Sequence, residues 1–254
     1  MKETVKMQPT IFVGEKDYDK VGFKLQNTLI VGKIGSGKST VTDNIVASLL
    51  ETCNPDEYTI DIIDIKCTGI WYQCVNEKRY NVPLINSVVK EESGEDLARK
   101  LSYYRDLVNA YKCNNKRSPK TLIIVVDEFH LINHAKDINT VVNSVDIITS
   151  LGPSVGIYLI AGFGDCLLGV ATKRININNF TLRIGTTHDN HIREGIFSEY
   201  TQTLERKKAE GRYLRDIRAE EINGGKCVYG IIPRFKPYTF LRKLCKAYSI
   251  GKKE

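Results

Sequence analysis

Eight consecutive residues, Gly32 to Ser39, read G-K-I-G-S-G-K-S. That spacing of glycines, lysine and hydroxyl is what a phosphate cradle requires. The residues before it, Asn27 to Val31, are mostly apolar and include β-branched side chains; those after it, up to Leu50, carry apolar side chains at helical spacing. The octet therefore sits between a strand and a helix N-terminus. Gly32, Gly35 and Gly37 let the backbone turn tightly and aim N–H groups inward at phosphate oxygens. The helix beginning near Lys38 adds the positive end of its dipole. The expected nucleotide contacts are Gly32, Lys33, Ile34, Gly35, Ser36, Gly37, Lys38, Ser39 and Thr40. Lys38 is placed to reach the β/γ-phosphates of ATP, and the Ser39 hydroxyl to ligate Mg²⁺.

Hydrolysis needs a carboxylate for the metal and a group to polarise water. Leu122 to Glu128 reads L-I-I-V-V-D-E, an apolar run suited to a buried parallel strand. Asp127 and Glu128 fall at its C-terminal edge, where open α/β sheets bind ligands. Asp127 suits the Mg²⁺ role and Glu128 the water-polarising role. The alternative is an acidic pair that merely ends a strand. Asp64 and Lys66 end another expected strand on the same edge, where they either support the site or pair with each other.

The elements that must hold these groups can be read from periodicity. Strands are expected within 8–27 on either side of a turn, at 28–32, 58–65, 121–127, 156–161 and about 180–185, with a further one at 226–232. Helices are expected over 38–52, 94–111, roughly 137–150 and 191–210. Strands alternating with helices after a phosphate loop imply a fold of α/β class: a RecA-like P-loop NTPase, with a mostly parallel sheet flanked by helices. The organisation expected is an entry segment over 1–26, an ATPase core over 27–190 and a basic extension over 191–254 packed on it.

Composition bounds the class. The 254 residues, 42% hydrophobic and 26% charged, suit one large globular core. No apolar run approaches the ~18 residues of a membrane span, and the N-terminal stretch has no apolar core like that of a signal peptide. Seven cysteines, odd in number and without a C-x-x-C pair, read as reduced thiols of a cytoplasmic protein. The net charge of +7 is uneven: residues 201–254 hold 14 Lys/Arg against 6 Asp/Glu, a balance of +8, leaving 23 against 24 in the first 200. A near-neutral body with a basic tail suggests a polyanion partner; a solvated surface is the plainer reading.

Further stretches, in order, resemble the motor domain of the FtsK/SpoIIIE DNA translocases. Asn44 to Leu50 followed by Asn54-Pro55-Asp56-Glu57 is similar to that family's helix and S-L-L … S-P-D-E turn. Ile63-Asp64-Ile65-Lys66 resembles its I-D-P-K strand end, and Val82-Pro83-Leu84 with Val88-Val89 its P-H-L … V-V segment. Val126-Asp127-Glu128-Phe129 matches its V-D-E-F motif, and Val155 to Ile160 is similar to its G-I-H-L-V-I strand. Ile11-Phe12-Val13-Gly14 is similar to the family's strand-glycine entry. The resemblance covers about residues 10–190. It implies an ATP- and Mg²⁺-dependent motor that moves double-stranded DNA as a homo-oligomeric, hexameric ring, of the sort met in phages, plasmids and integrative elements. A related ATPase that drives protein secretion or assembly, or a slow nucleotide-dependent regulator, remains the alternative.

The departures from the family pattern are specific. The family follows the Gly156-type strand with T-Q-R, whose glutamine resembles a γ-phosphate sensor; here Gly164 stands at that place, in Gly162-Phe163-Gly164-Asp165. Arg174 and Arg183 lie near where the family supplies an arginine to a neighbouring subunit's nucleotide, so one of them suits that role; otherwise they are ordinary surface cations. His130 and His134 have the i, i+4 spacing of a metal pair, although a polar helix face explains them as well. His188 and His191 flank Asp189 and suit capping or surface roles.

Overall fold

The computed structural model describes residues 8–16, 19–64, 71, 82–89, 93–164, 173–186, 215–221, 226–232 and 240. The strands are β1 (Thr10–Lys16), β2 (Asp19–Lys24), β3 (Thr28–Val31), β4 (Tyr58–Ile63), β5 (Ile85–Val89), β6 (Thr121–Val126), β7 (Ile157–Phe163), β8 (Leu182–Gly185), β9 (Arg215–Glu221) and β10 (Lys226–Ile232). The helices are α1 (Lys38–Thr52), α2 (Gly94–Cys113) and α3 (Ile138–Val155), with a 3-10 turn over Phe129–His134.

All the strands join one ten-stranded sheet in the order β2-β1-β10-β9-β8-β3-β7-β6-β4-β5. From β8 to β5 every neighbouring pair is parallel. From β2 to β8 every pair is antiparallel. The α/β class and the flanking helices expected from sequence are therefore present.

The parallel strands are apolar on both faces because helices cover both. On β6, Ile123 and Val125 face one core cluster with Ile30, Ile60, Ile160 and the α1 residues Val41, Ile45 and Leu49. Leu122, Ile124 and Val126 face the other, with Leu101, Tyr104 and Val108 of α2 and Val141, Val145 and Ile148 of α3. This two-sided burial is what the unbroken apolar run at 122–126 encodes. At Asp61 on β4 the burial is polar: Asn86 Nδ2, Ser87 Oγ and the Tyr104 hydroxyl all donate to its carboxylate, at 2.8, 2.7 and 2.9 Å. The three bonds tie β4 to β5 and α2, and they satisfy a charge that burial would otherwise penalise.

Helix α3 runs past the expected end near residue 150, through Gly152-Pro153, to Val155. A proline inside a helix removes the N–H that would bond the carbonyl four residues back, here that of Thr149. Asn27 supplies the replacement: its Nδ2 donates to Thr149 O at 2.6 Å, and its Oδ1 accepts the Leu159 N–H at 3.0 Å. Gly156 ends the helix at φ 84°, the left-handed cap that glycine favours. Sequence periodicity also left 85–89 and 215–221 unassigned as strands. Both need partners distant in the chain: β5 pairs with β4, and β9 with β8 and β10. The helix expected over 191–210 lies outside the described residues, as do Lys66, His188 and His191.

Candidate nucleotide site

The C-terminal ends of β3, β6, β7 and β8 converge on one edge of the sheet. The phosphate loop leaves β3, Asp127 and Glu128 leave β6, Gly164 follows β7 and Thr186 follows β8. Strand β7 lies between β3 and β6, so the loop and the acidic pair meet across one strand. This is where α/β sheets open a crevice for ligands.

The loop has the conformation its glycines anticipate. Gly35 and Gly37 stand at φ 78° and 106°, left-handed values that cost an ordinary residue strain. Gly37 is the N-cap of α1 without a side-chain cap, which leaves the first-turn N–H groups available to an anion. Gly32 is glycine for another reason: a Cβ there would stand 2.0 Å from Thr186 Oγ1 and 2.4 Å from Ser36 Oγ. Those two hydroxyls lie 2.6 Å apart in a hydrogen bond that pins the loop to β8. The Lys38 side chain crosses the loop, its Nζ donating to Lys33 O at 3.2 Å, and its residue is 94% shielded from solvent. Ile34 is exposed at the loop tip.

The carboxylates are brought to this loop. Ser39 Oγ donates to Asp127 Oδ2 at 2.8 Å, and Thr42 Oγ1 to Asp127 Oδ1 at 3.4 Å. Serine hydroxyl and carboxylate are hard oxygen donors, the ligand type Mg²⁺ takes. Together with the open cradle, they are a donor set that fits an Mg²⁺–triphosphate. Glu128 is buried beside them. On β7, Gly162 lets the Asp127 backbone approach: a Cβ there would stand 3.2 Å from Asp127 O. Asp43, on α1, receives the Trp71 indole N–H at 2.8 Å. Burial, with the nearby Asp127 and Asp64 carboxylates adding to it, pushes the Asp43 carboxyl up to about 7.

Other sequence candidates separate. Arg183 is buried and turned inward, its guanidinium donating to Phe180 O, Ile177 O and Asn178 Oδ1; burial also lowers its pKa. It is thus unsuited to reach a neighbour's nucleotide, whereas Arg174 is exposed. His130 faces Glu128 while His134 is exposed, and they lie on a 3-10 turn, so they do not share an α-helical face. No metal-binding group of His, Cys, Asp and Glu occurs among the described residues. Two site residues escaped sequence reasoning. Thr42, three residues after Ser39 on one helix, could have been found by helical spacing. Thr186 carries no local signal. His130 is marked in the sequence only by its spacing with His134, and its place beside Glu128 has no local signal.

Residues 3–85 match the model of the FtsK/SpoIIIE family, which bears out the resemblance read from the motifs. No curated protein matches the chain. Among solved structures, the fold is similar to the pCW3 conjugation coupling protein TcpA with ATPγS, at TM-score 0.61 and 17% identity over 96% of this chain and 71% of that one. It is similar to the cytoplasmic domain of the type VII secretion ATPase EccC of Thermomonospora curvata, at TM-score 0.65 and 17% identity over 93% and 30%. It is also similar to B204, the DNA-packaging ATPase of Sulfolobus turreted icosahedral virus, at TM-score 0.52 and 17% identity over 82% and 98%. The chain thus spans nearly all of the viral enzyme but under a third of the secretion ATPase. Fold and site are those of a P-loop NTPase, and the likeness to the FtsK/SpoIIIE family is carried by residues 3–85, about a third of the chain. No helix among the described residues is long and apolar enough to cross a membrane.

Proposed function

We propose that the chain is an ATP-hydrolysing motor that binds and translocates double-stranded DNA in the cytoplasm as a ring of identical subunits. Its ATPase core spans 27–190, with the entry segment 1–26 and the basic extension 191–254 packed on it. The observation that carries the reading is the Ser39–Asp127 contact of 2.8 Å beside the glycine loop and the buried Glu128. Residues Gly32 to Thr40 cradle the triphosphate of ATP, and Lys38 neutralises charge on the β/γ-phosphates. Ser39 and Asp127 hold Mg²⁺, which supplies further charge neutralisation when bound. Glu128 orients and polarises the attacking water.

The charge distribution supports DNA as the partner: a +8 tail on a near-neutral body suits phosphate contacts without base readout. Two structural neighbours, a conjugation coupling protein and a DNA-packaging ATPase, agree with it. The EccC likeness favours a second reading, a motor acting on protein. Steady-state ATPase measured with and without duplex DNA across a salt series decides between them. Stimulation that weakens with salt supports the DNA motor, and neutralising Arg206, Lys207, Arg212 and Arg215 should flatten the salt dependence by about one unit of slope per lost contact. An unstimulated rate, with an unchanged salt slope in the neutralised variant, favours the protein motor.

A further inference from the structure

Residues 128 to 130 leave β6 in a conformation that separates three tasks. Phe129 turns inward, fully buried, with its ring 4.8 Å from that of Phe163 at the end of β7. The 3-10 turn is closed by the Leu131 N–H donating to Glu128 O at 3.2 Å. With Phe129 anchored, Glu128 and His130 are brought to each other: His130 Nδ1 lies 3.0 Å from Glu128 Oε2. That nitrogen is shut off from solvent, and its approach to Glu128 is a close contact without hydrogen-bond alignment.

The imidazole has room to stand there because residue 164 lacks a side chain. A Cβ on Gly164 would lie 3.2 Å from His130 Nδ1 and 3.4 Å from Cε1, tighter than ordinary van der Waals contact. The ring therefore occupies the ground that a side chain at the end of β7 would claim. A buried carboxylate needs partners to hold one orientation, and the His130 imidazole stands 3.0 Å from one of its oxygens.

We infer that His130 is a positioning residue for hydrolysis: seated in the space left by Gly164, its imidazole fixes the Glu128 carboxylate for its task at the attacking water. This rests on the ATPase reading above. The ring acts through Glu128 and needs no contact with nucleotide. Binding of ATP, which depends on the cradle, is independent of it. Gly164 is then part of the same device, since any larger residue there displaces the ring.

The test uses the full chain with ATP and Mg²⁺. His130→Ala should lower kcat about 10–100-fold, the scale of a small misplacement of a reacting group, while KM and the Kd for ATP stay within two-fold. His130→Asn, which keeps an N–H donor near the Nδ1 position, should recover much of the loss. Gly164→Ala, which crowds the ring without removing it, should fall between. In a Glu128→Gln background, measured by single turnover, His130→Ala should cause no further loss. A wild-type kcat in His130→Ala, or a loss that adds fully to that of Glu128→Gln, overturns the inference. Should His130→Ala melt at a lower temperature, Gly164→Ala carries the same comparison. Wild-type turnover abolished by Lys38→Ala establishes the ATPase reading separately, so a null result at His130 leaves that reading standing.

Discussion

Asn27 offers a quantitative test of how the strand that carries the phosphate loop is anchored. The residue is 97% shielded and its side chain makes three bonds: Nδ2 to the Thr149 carbonyl orphaned by Pro153 and, longer at 3.4 Å, to Asn179 O, and Oδ1 from the Leu159 N–H. Asn27→Ala removes all three and leaves the buried Thr149 carbonyl and Leu159 amide without this partner. Each costs about 1–3 kcal/mol, so the variant should lose about 2–6 kcal/mol. For a chain of this size that corresponds to a fall in Tm of roughly 5–20 °C. The assay is urea unfolding followed by circular dichroism, with and without Pro153→Ala. That second change restores an N–H that can satisfy Thr149 O, so Asn27→Ala should cost about 1–2 kcal/mol less in the Pro153→Ala background. Equal costs in the two backgrounds would refute the claim that Asn27 substitutes for the bond the proline removes. A loss under about 0.5 kcal/mol, the level of an ordinary surface change, would refute the anchoring altogether.

Three further outcomes follow from the site. Lys38→Ala should abolish ATP binding or turnover with little change in melting temperature, checked by nucleotide titration beside a thermal melt; hydrolysis at the wild-type rate would remove the cradle assignment. Glu128→Gln should still bind ATP and lose most turnover, whereas Asp127→Asn should shift the Mg²⁺ dependence, read from rates over a Mg²⁺ series; equal and mild effects from both would make the pair structural. Asp43, whose carboxyl is raised to about 7, binds a proton in the folded state that the unfolded chain has released. Between pH ~4 and ~7 the nucleotide-free protein should therefore lose stability as pH rises. Asp43→Asn should remove that loss, so its Tm should exceed the wild type's more at pH 8 than at pH 5, and a constant difference would argue against the shift.

What could be read from the chain alone was local. The octet at 32–39, the apolar approach before it and the helical spacing after it gave strand, loop and helix N-terminus, because each is set by neighbours a few residues apart. Helix α1 begins and ends where periodicity placed it, with Asn54-Pro55 beyond its end, and the run at 122–126 announced a strand covered on both faces. The acidic pair could be located for the same reason, as a strand end of parallel type. What the tertiary structure decided depends on contacts over long separations. The helix expected to end near 150 runs on through Pro153 because Asn27, 122 residues away from Thr149, takes up the bond that the proline removes. Thr186 gives Gly32 its reason to be glycine from 154 positions away, and Gly164 has its reason in a ring that another strand end delivers. Strands β9 and β10 enter the sheet between β8 and β1, a placement that short-range pattern cannot express, since alternation shows which face a strand buries and not which strand it pairs with.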